Sequence, residues 1–144
     1  MITYKYNIEK DWHEVREKVF VKEQGFRNEF DDVDRIAEHV CIYVDSVLAG
    51  CGRCFTQGVE DVYVVGRIAV LKEFRNSGIG TLIVEKLEEI AQENKAKVIS
   101  LDAQCQAIHF YEKNGYVIYG EEHMDEHVPH VCMYKKISTL KEDI

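Results

Sequence analysis

The β-branched run Val62–Val70 leads through a short basic, glycine-containing turn into a long amphipathic helix, and this junction constrains the fold more than any other stretch. In the helix, Gly78–Asn94, residues Ile79, Leu82, Ile83, Leu87, Ile90 and Ala91 recur at spacings of three and four, while Glu85, Lys86, Glu88, Glu89 and Gln92 face away. Lys97–Leu101 then reads as a short strand. Strand, helix and strand in succession form a β-α-β crossover, with two parallel strands and a helix laid on the sheet.

The remaining elements surround this unit. Thr3–Ile8 reads as a first strand. A helix follows, with Asp11 as its N-cap, Glu14 three residues on, Trp12, Val15, Val19 and Phe20 on one face and Gly25 as the C-terminal stop. Residues 28–38 form an acidic loop. His39–Val44 and Val47–Phe55 read as a hairpin turning at Asp45-Ser46. A second helix, Gln106–Asn114, ends at Gly115, and Tyr116–Tyr119 and His130–Lys136 are the last strands, separated by a polar loop. The expected architecture is α/β: a mixed, mostly antiparallel sheet of about seven strands flanked by helices.

With 144 residues, 46% hydrophobic and 31% charged, the chain fits one domain spanning 1–144. Its apolar runs are far shorter than the roughly 18 residues of a membrane span. The opening Met1-Ile2-Thr3-Tyr4-Lys5-Tyr6 lacks the layout of a signal peptide. A net charge of −8 argues against nucleic-acid binding. The five cysteines, Cys41, Cys51, Cys54, Cys105 and Cys132, are scattered through hydrophobic segments, which suits reduced thiols in the cytoplasm. No metal is expected. Strand alternation sends Cys51 and Cys54 to opposite faces, and His123, His127 and His130 with Cys132 offer ligand types without a visible supporting shell.

The turn Arg75-Asn76-Ser77-Gly78-Ile79-Gly80-Thr81 has the makings of an anion site. The first turn of a helix carries about four unpaired N–H groups and a partial positive charge. Gly78 and Gly80 would admit a phosphate, Arg75 and Lys72 add cations, and no acidic residue falls between Glu73 and Glu85. The competing reading is that Ser77 caps the helix and the glycines serve only packing. Neither the nucleotide P-loop nor the dinucleotide fingerprint is satisfied, because Gly80 is followed by Thr81-Leu82 and position 83 is isoleucine.

Arg75-x-x-Gly78-x-Gly80 after a hydrophobic strand resembles the acyl-CoA pyrophosphate loop of GNAT-type N-acetyltransferases. Ala107-Ile108-His109-Phe110-Tyr111-Glu112-Lys113-Asn114-Gly115-Tyr116 is similar to the second signature of that superfamily, and the strand order agrees over essentially the whole chain. Val19-Phe20-Val21-Lys22-Glu23-Gln24 and Pro129-His130-x-x-Met133 look like a group of small bacterial members. The resemblance implies an acyl-CoA N-acyltransferase-like fold and direct acetyl transfer from acetyl-CoA to a primary amine. It also implies a cofactor site at the backbone of Ile68, Ala69 and Val70, at Arg75, Asn76, Ser77, Gly78, Ile79, Gly80 and Thr81, and at Phe110, Tyr111 and Lys113. Gln104 stands where many members carry asparagine, and a pantetheine contact carries over to it.

Tyr111 is the implied general acid for the departing thiolate. The base is open among Glu23, Glu38, His39, His109 and His130, with His130 foremost, and Glu23, Gln24, His39 and His130 are the expected acceptor contacts. The acidic loops at 29–38 and 121–126 would draw in a cationic amine. A non-catalytic CoA-sensing module is the rival reading, and a metal-binding interaction protein using the C-terminal histidines a second. A monomer or homodimer is expected, with no nucleic-acid or membrane partner.

Overall fold

Eight strands form one sheet in the computed structural model, which describes residues 1–59 and 61–137. They are β1 (Ile2–Tyr6), β2 (Glu38–Val44), β3 (Val47–Phe55), β4 (Val62–Val70), β5 (Val98–Gln104), β6 (Val117–Ile118), β7 (His123–Asp125) and β8 (Val128–Lys136). The order is β1-β2-β3-β4-β5-β8-β6, with β7 paired to β8. Only β4 and β5 run parallel, as a crossover through the intervening helix requires. The β2–β3 turn places Asp45 and Ser46 at φ 49° and 69°, the paired left-handed conformation of a tight hairpin.

Helix α1 (Glu9–Arg16) covers one face of the sheet, burying Trp12 and Val15 with Val19, Phe20, Cys41, Tyr43 and Cys51. Helix α2 (Ile79–Glu93) covers the other, burying Ile79, Ile83, Val84, Leu87, Ile90 and Ala91. Two glycines of β3 set how closely α2 lies. A Cβ on Gly50 would fall 2.7 Å from the Ala69 carbonyl oxygen, and one on Gly52 would fall 2.6 Å from Ile83 Cγ2. Helix α3 (Ile108–Lys113), preceded by a 3₁₀ turn at Cys105–Ala107, ends before Gly115 at φ +94°. Cys51 and Cys54 lie on opposite faces, and all five cysteines are free. Burial pushes the Cys41 and Cys54 thiols up to about 12. Among the described residues no helix is long and apolar enough to cross a membrane.

Three local expectations change. Helix α1 starts after Ile8 without a side-chain cap, and Asp11 inside its first turn instead accepts the Tyr43 hydroxyl. Beyond Arg16 the helix widens into a π-helical stretch, Glu17–Glu23, where Gln24 N–H reaches back to Val19 O at 3.0 Å. The polar loop before the last strand holds β7, whose residues are all exposed and therefore carry no alternating pattern.

Candidate active site

The strands β4 and β5 pair only at Val62–Val98, Tyr63–Ile99 and Val64–Ser100, then separate. The separation begins where β4 carries one extra residue against β3: Arg53 faces Gly66, but Cys51 faces Ala69. This is a β-bulge, and its left-handed residue is Arg67, at φ +50°. Gly66 beside it has nothing within 4 Å of a built Cβ, so close backbone approach does not explain the glycine. The Arg67 guanidinium meets the Glu29 carboxylate at 2.9 Å and the Glu29 carbonyl at 3.0 Å, contacts that offset the strained backbone.

Between the parted strands opens a cleft of about 510 Å³. Residues 65–70 form one wall, and Leu101, Asp102, Gln104 and Tyr111 the other. Leu71 N–H donates to Ala49 O at 2.8 Å, which leaves the backbone groups of Val70 turned away from β3; its carbonyl receives Arg75 Nε at 2.9 Å. By alternation Ile68 also faces the cleft, whereas Ala69 belongs to the β3 ladder. Of the three residues expected to pair with pantetheine, Ile68 and Val70 thus turn their backbone groups to the cleft and Ala69 does not.

The chain leaves the cleft wall at Val70 and Arg75, which both line it, and enters α2 four residues later. Its N-cap is Gly78, at φ +86°, with no side-chain cap and no acidic residue in the first turn. Ser77 does not cap the helix, because its hydroxyl donates to the Phe74 carbonyl. The N–H groups of Ile79, Gly80 and Thr81 are thus the helix's unpaired donors. The two glycines differ in role. A Cβ on Gly78 would meet nothing, while one on Gly80 would touch the Phe110 ring at 3.1 Å, so the missing side chain of Gly80 makes room for Phe110. Arg75 also departs from expectation: both terminal nitrogens bind Glu23, each at 2.7 Å.

That pairing bears on the base. The hydrogen bond from Arg75 holds the Glu23 carboxyl below its usual range, which makes Glu23 a weaker base. His39 is out of reach of the cleft: it stacks on Trp12 at 4.1 Å and donates Nε2–H to Asp34 O at 3.0 Å, and burial lowers its pKa. Lys113 is exposed at the end of α3 and does not line the cleft. His130 and Tyr111 do line it. His130 Nδ1 lies 2.9 Å from Val128 O, so Nδ1–H donates there and Nε2 remains an acceptor. Tyr111 is 9% exposed, and burial alone raises its phenol above the usual tyrosine range. Gln104 donates to Gln24 Oε1 at 2.8 Å, joining the cleft wall to the end of the π-helical stretch. The Cys105 thiol is raised, by partial burial and then by Glu122 and Asp102, which disfavours a thiolate nucleophile.

The acidic loop at 28–38 turns inward. Glu29, Asp31 and Asp34 meet Arg16, Arg53 and Arg67, with Arg16 Nη1 2.6 Å from Asp34 and Arg53 Nη1 2.7 Å from both Asp31 and Asp34. Three cations and three carboxylates close on one another, so Glu29, Asp31 and Asp34 lend the cleft no free negative charge, while Asp32 and Glu38 stay exposed outside the cluster. Burial raises the Glu29 carboxyl although Arg67 and Arg16 pull it down. Arg16 was the visible signal, since it falls on the apolar stripe of Trp12, Val15 and Val19.

A sheet that parts between two parallel strands over an uncapped helix N-terminus is the architecture of the acyl-CoA N-acyltransferases. The same fold appears in Escherichia coli ElaA, at a TM-score of 0.83 and 22% identity, covering 94% of this chain and 99% of that one. It appears again in a GNAT family acetyltransferase from Elizabethkingia anophelis with acetyl-CoA bound, at a TM-score of 0.74 and 15% identity over 94% and 98% of the two chains. Residues 5–116 match the acetyltransferase (GNAT) family, and the chain belongs to it. It is 39% identical over 130 residues to the uncharacterized N-acetyltransferase YjcF of Bacillus subtilis, covering 88% of this chain and 91% of the relative.

Proposed function

We propose that this acetyltransferase moves an acetyl group from acetyl-CoA directly to a primary amine of a small molecule or peptide, in the cytoplasm, as a monomer or homodimer. The observation that carries the reading is the parting of β4 and β5 into a cleft whose wall, at Val70 and Arg75, runs on into the uncapped N-terminus of α2. The N–H groups of Ile79, Gly80 and Thr81, with Asn76, Ser77 and Gly78 shaping the turn, suit a pyrophosphate. Ile68 and Val70 offer backbone groups to the pantetheine amides, in the manner of an added strand. The acetyl-CoA bound by the Elizabethkingia relative supports the same donor here.

Acetyl-CoA supplies the activated acyl group; the protein supplies orientation and proton handling. The Val70 N–H, facing the cleft, polarises the thioester carbonyl. His130 Nε2 accepts the proton that the amine must lose, an ionisation costing roughly 4 kcal/mol for a lysine-like amine at neutral pH. Tyr111 returns a proton to the departing sulfur. Burial makes the phenol a weaker acid, and the same apolar surroundings would raise the proton affinity of a thiolate formed beside it. With Glu29, Asp31 and Asp34 paired to arginines, attraction for a cationic acceptor falls to Asp125 and Glu126 at the cleft. Glu126 is fixed there by the N–H groups of Arg27 and Asn28 at 2.8 and 2.9 Å.

The test is thermal stability with acetyl-CoA, followed by thiol release with a panel of primary amines for the parent and Tyr111→Phe. Saturable stabilisation and amine-dependent release, lost with Tyr111→Phe, is the expected result. Stabilisation without release for any amine would favour the CoA-sensing reading. The absence of both would overturn the assignment.

A further inference from the structure

We infer that Asp102, His123 and Cys132 form a site for a borderline-soft divalent cation, zinc in the first instance, at the rim of the cleft. Asp102 on β5 and Cys132 on β8 are register partners. His123 on β7 pairs with His130, two residues before Cys132 and on the same face of β8. Sheet register thus brings nitrogen, oxygen and sulfur donors together from three strands. His123 Nε2 lies 3.0 Å from the Asp102 carboxylate, Cys132 Sγ lies 4.0 Å from it, and the three ligand atoms fall within 4.8 Å of one another. Tetrahedral zinc, with bonds of about 2.0 to 2.3 Å, sets its ligands roughly 3.5 Å apart, so small side-chain rotations suffice.

The surroundings of His123 point to a cation as well. Its Nδ1 faces the Glu121 carbonyl at 3.3 Å, an outer contact of the kind that orients metal-binding histidines. In the metal-free protein His123 Nε2 and the Asp102 carboxylate share a hydrogen bond at 3.0 Å, and a metal ion would take the place of its proton. Thiol, imidazole and carboxylate together favour zinc over magnesium or calcium. His127 Nε2 is bonded to Gln24 O, and His130, whose ring stacks on His123 at 6.3 Å between centroids, has its Nδ1 on Val128 O. Three protein ligands leave a fourth position open, and Asp102 itself lines the cleft.

The experiment uses the reduced, metal-stripped full chain, titrated with Zn²⁺ against a chromophoric chelator and with Co²⁺ by visible absorption. One equivalent bound at micromolar affinity or tighter, with a thiolate-to-cobalt charge-transfer band, is expected. His123→Ala and Cys132→Ser should each weaken zinc binding by at least about tenfold, with the band lost in Cys132→Ser. His109→Ala and His127→Ala should change neither. Circular dichroism and the metal-free melting temperature check folding. Binding weaker than about millimolar, binding unchanged in His123→Ala, or a parent cobalt complex without the thiolate band would each overturn the inference. The parent spectrum decides even if Cys132→Ser fails to fold.

Discussion

Thr81→Glu separates the two consequences of an uncapped helix that binds anions. Thr81 is the third residue of α2, whose first turn holds no acidic residue and whose N-cap Gly78 gives no side-chain cap. A carboxylate there meets unpaired N–H groups and the positive end of the helix dipole, worth about 0.3 to 1 kcal/mol. Glutamate also exceeds threonine in helix propensity by a few tenths of a kcal/mol. The ligand-free melting temperature should therefore rise by about 2 to 4 °C. Acetyl-CoA should bind more weakly. A unit charge about 6 Å from a pyrophosphate charge, at an effective dielectric between roughly 20 and 80, costs about 0.7 to 2.8 kcal/mol, or about three- to a hundredfold in Kd. Calorimetric melting and acetyl-CoA titration at low salt read both effects, and added salt should shrink the affinity loss. A stabilised variant with unchanged affinity would show that the pyrophosphate is not held at α2. A destabilised variant would show that the first-turn donors are already satisfied. Position 80 is a poor substitute, because the 3.1 Å contact of its Cβ with Phe110 would confound packing with charge.

Tyr111→Phe should lower kcat by about a hundredfold while leaving the acetyl-CoA Kd nearly unchanged, checked by steady-state kinetics beside calorimetry. Gly52→Ala places a Cβ 2.6 Å from Ile83 Cγ2 and 3.0 Å from Leu87 Cδ1, so urea unfolding should show a loss of about 1 to 3 kcal/mol. Asp34 predicts acid sensitivity. Burial works to raise its carboxyl, but hydrogen bonds and charge from Arg16, with hydrogen bonds from Arg53, bring it from 3.8 to about 2. A carboxyl depressed in the folded state stabilises above its unfolded pKa and loses that contribution as pH falls through its folded one. About 2 kcal/mol should therefore vanish between roughly pH 5 and pH 2. Asp34→Asn should be less stable at pH 7 by about 3 to 5 kcal/mol, with a shallower acid slope. An unchanged slope in denaturant titrations across that range would refute the assignment.

Strong periodicity made most of the fold legible. The stripe from Ile79 to Ala91 defined α2, and Asp45-Ser46 marked a turn that does adopt the left-handed pair. What stayed hidden depends on pairing across distance. The helix start at Ile8 has no capping residue to announce it, and β7 has no buried side. At the candidate site, the bare first turn of α2 showed in the sequence as a gap in acidic residues. The Arg75–Glu23 pair did not, since it joins positions 52 residues apart. The packing of Gly80 against Phe110 was hidden for a related reason: composition shows that a side chain is missing, not which neighbour fills the space. The buried cluster around Arg16 could have been anticipated, because an arginine among Trp12, Val15 and Val19 demands carboxylate partners.

The bulge at Arg67 ties together two parts of the cleft that are remote in sequence. Its guanidinium is fastened to Glu29, so the bend that parts β4 from β5 and the loop at 28–38 share a single rivet. Only three residue pairs stitch the two halves of the sheet together below it. The opening starts at that short seam, and its β4 wall is pinned from outside, by the loop. Without the Glu29 carboxylate the left-handed turn at Arg67 would lose an ion pair that offsets its strain.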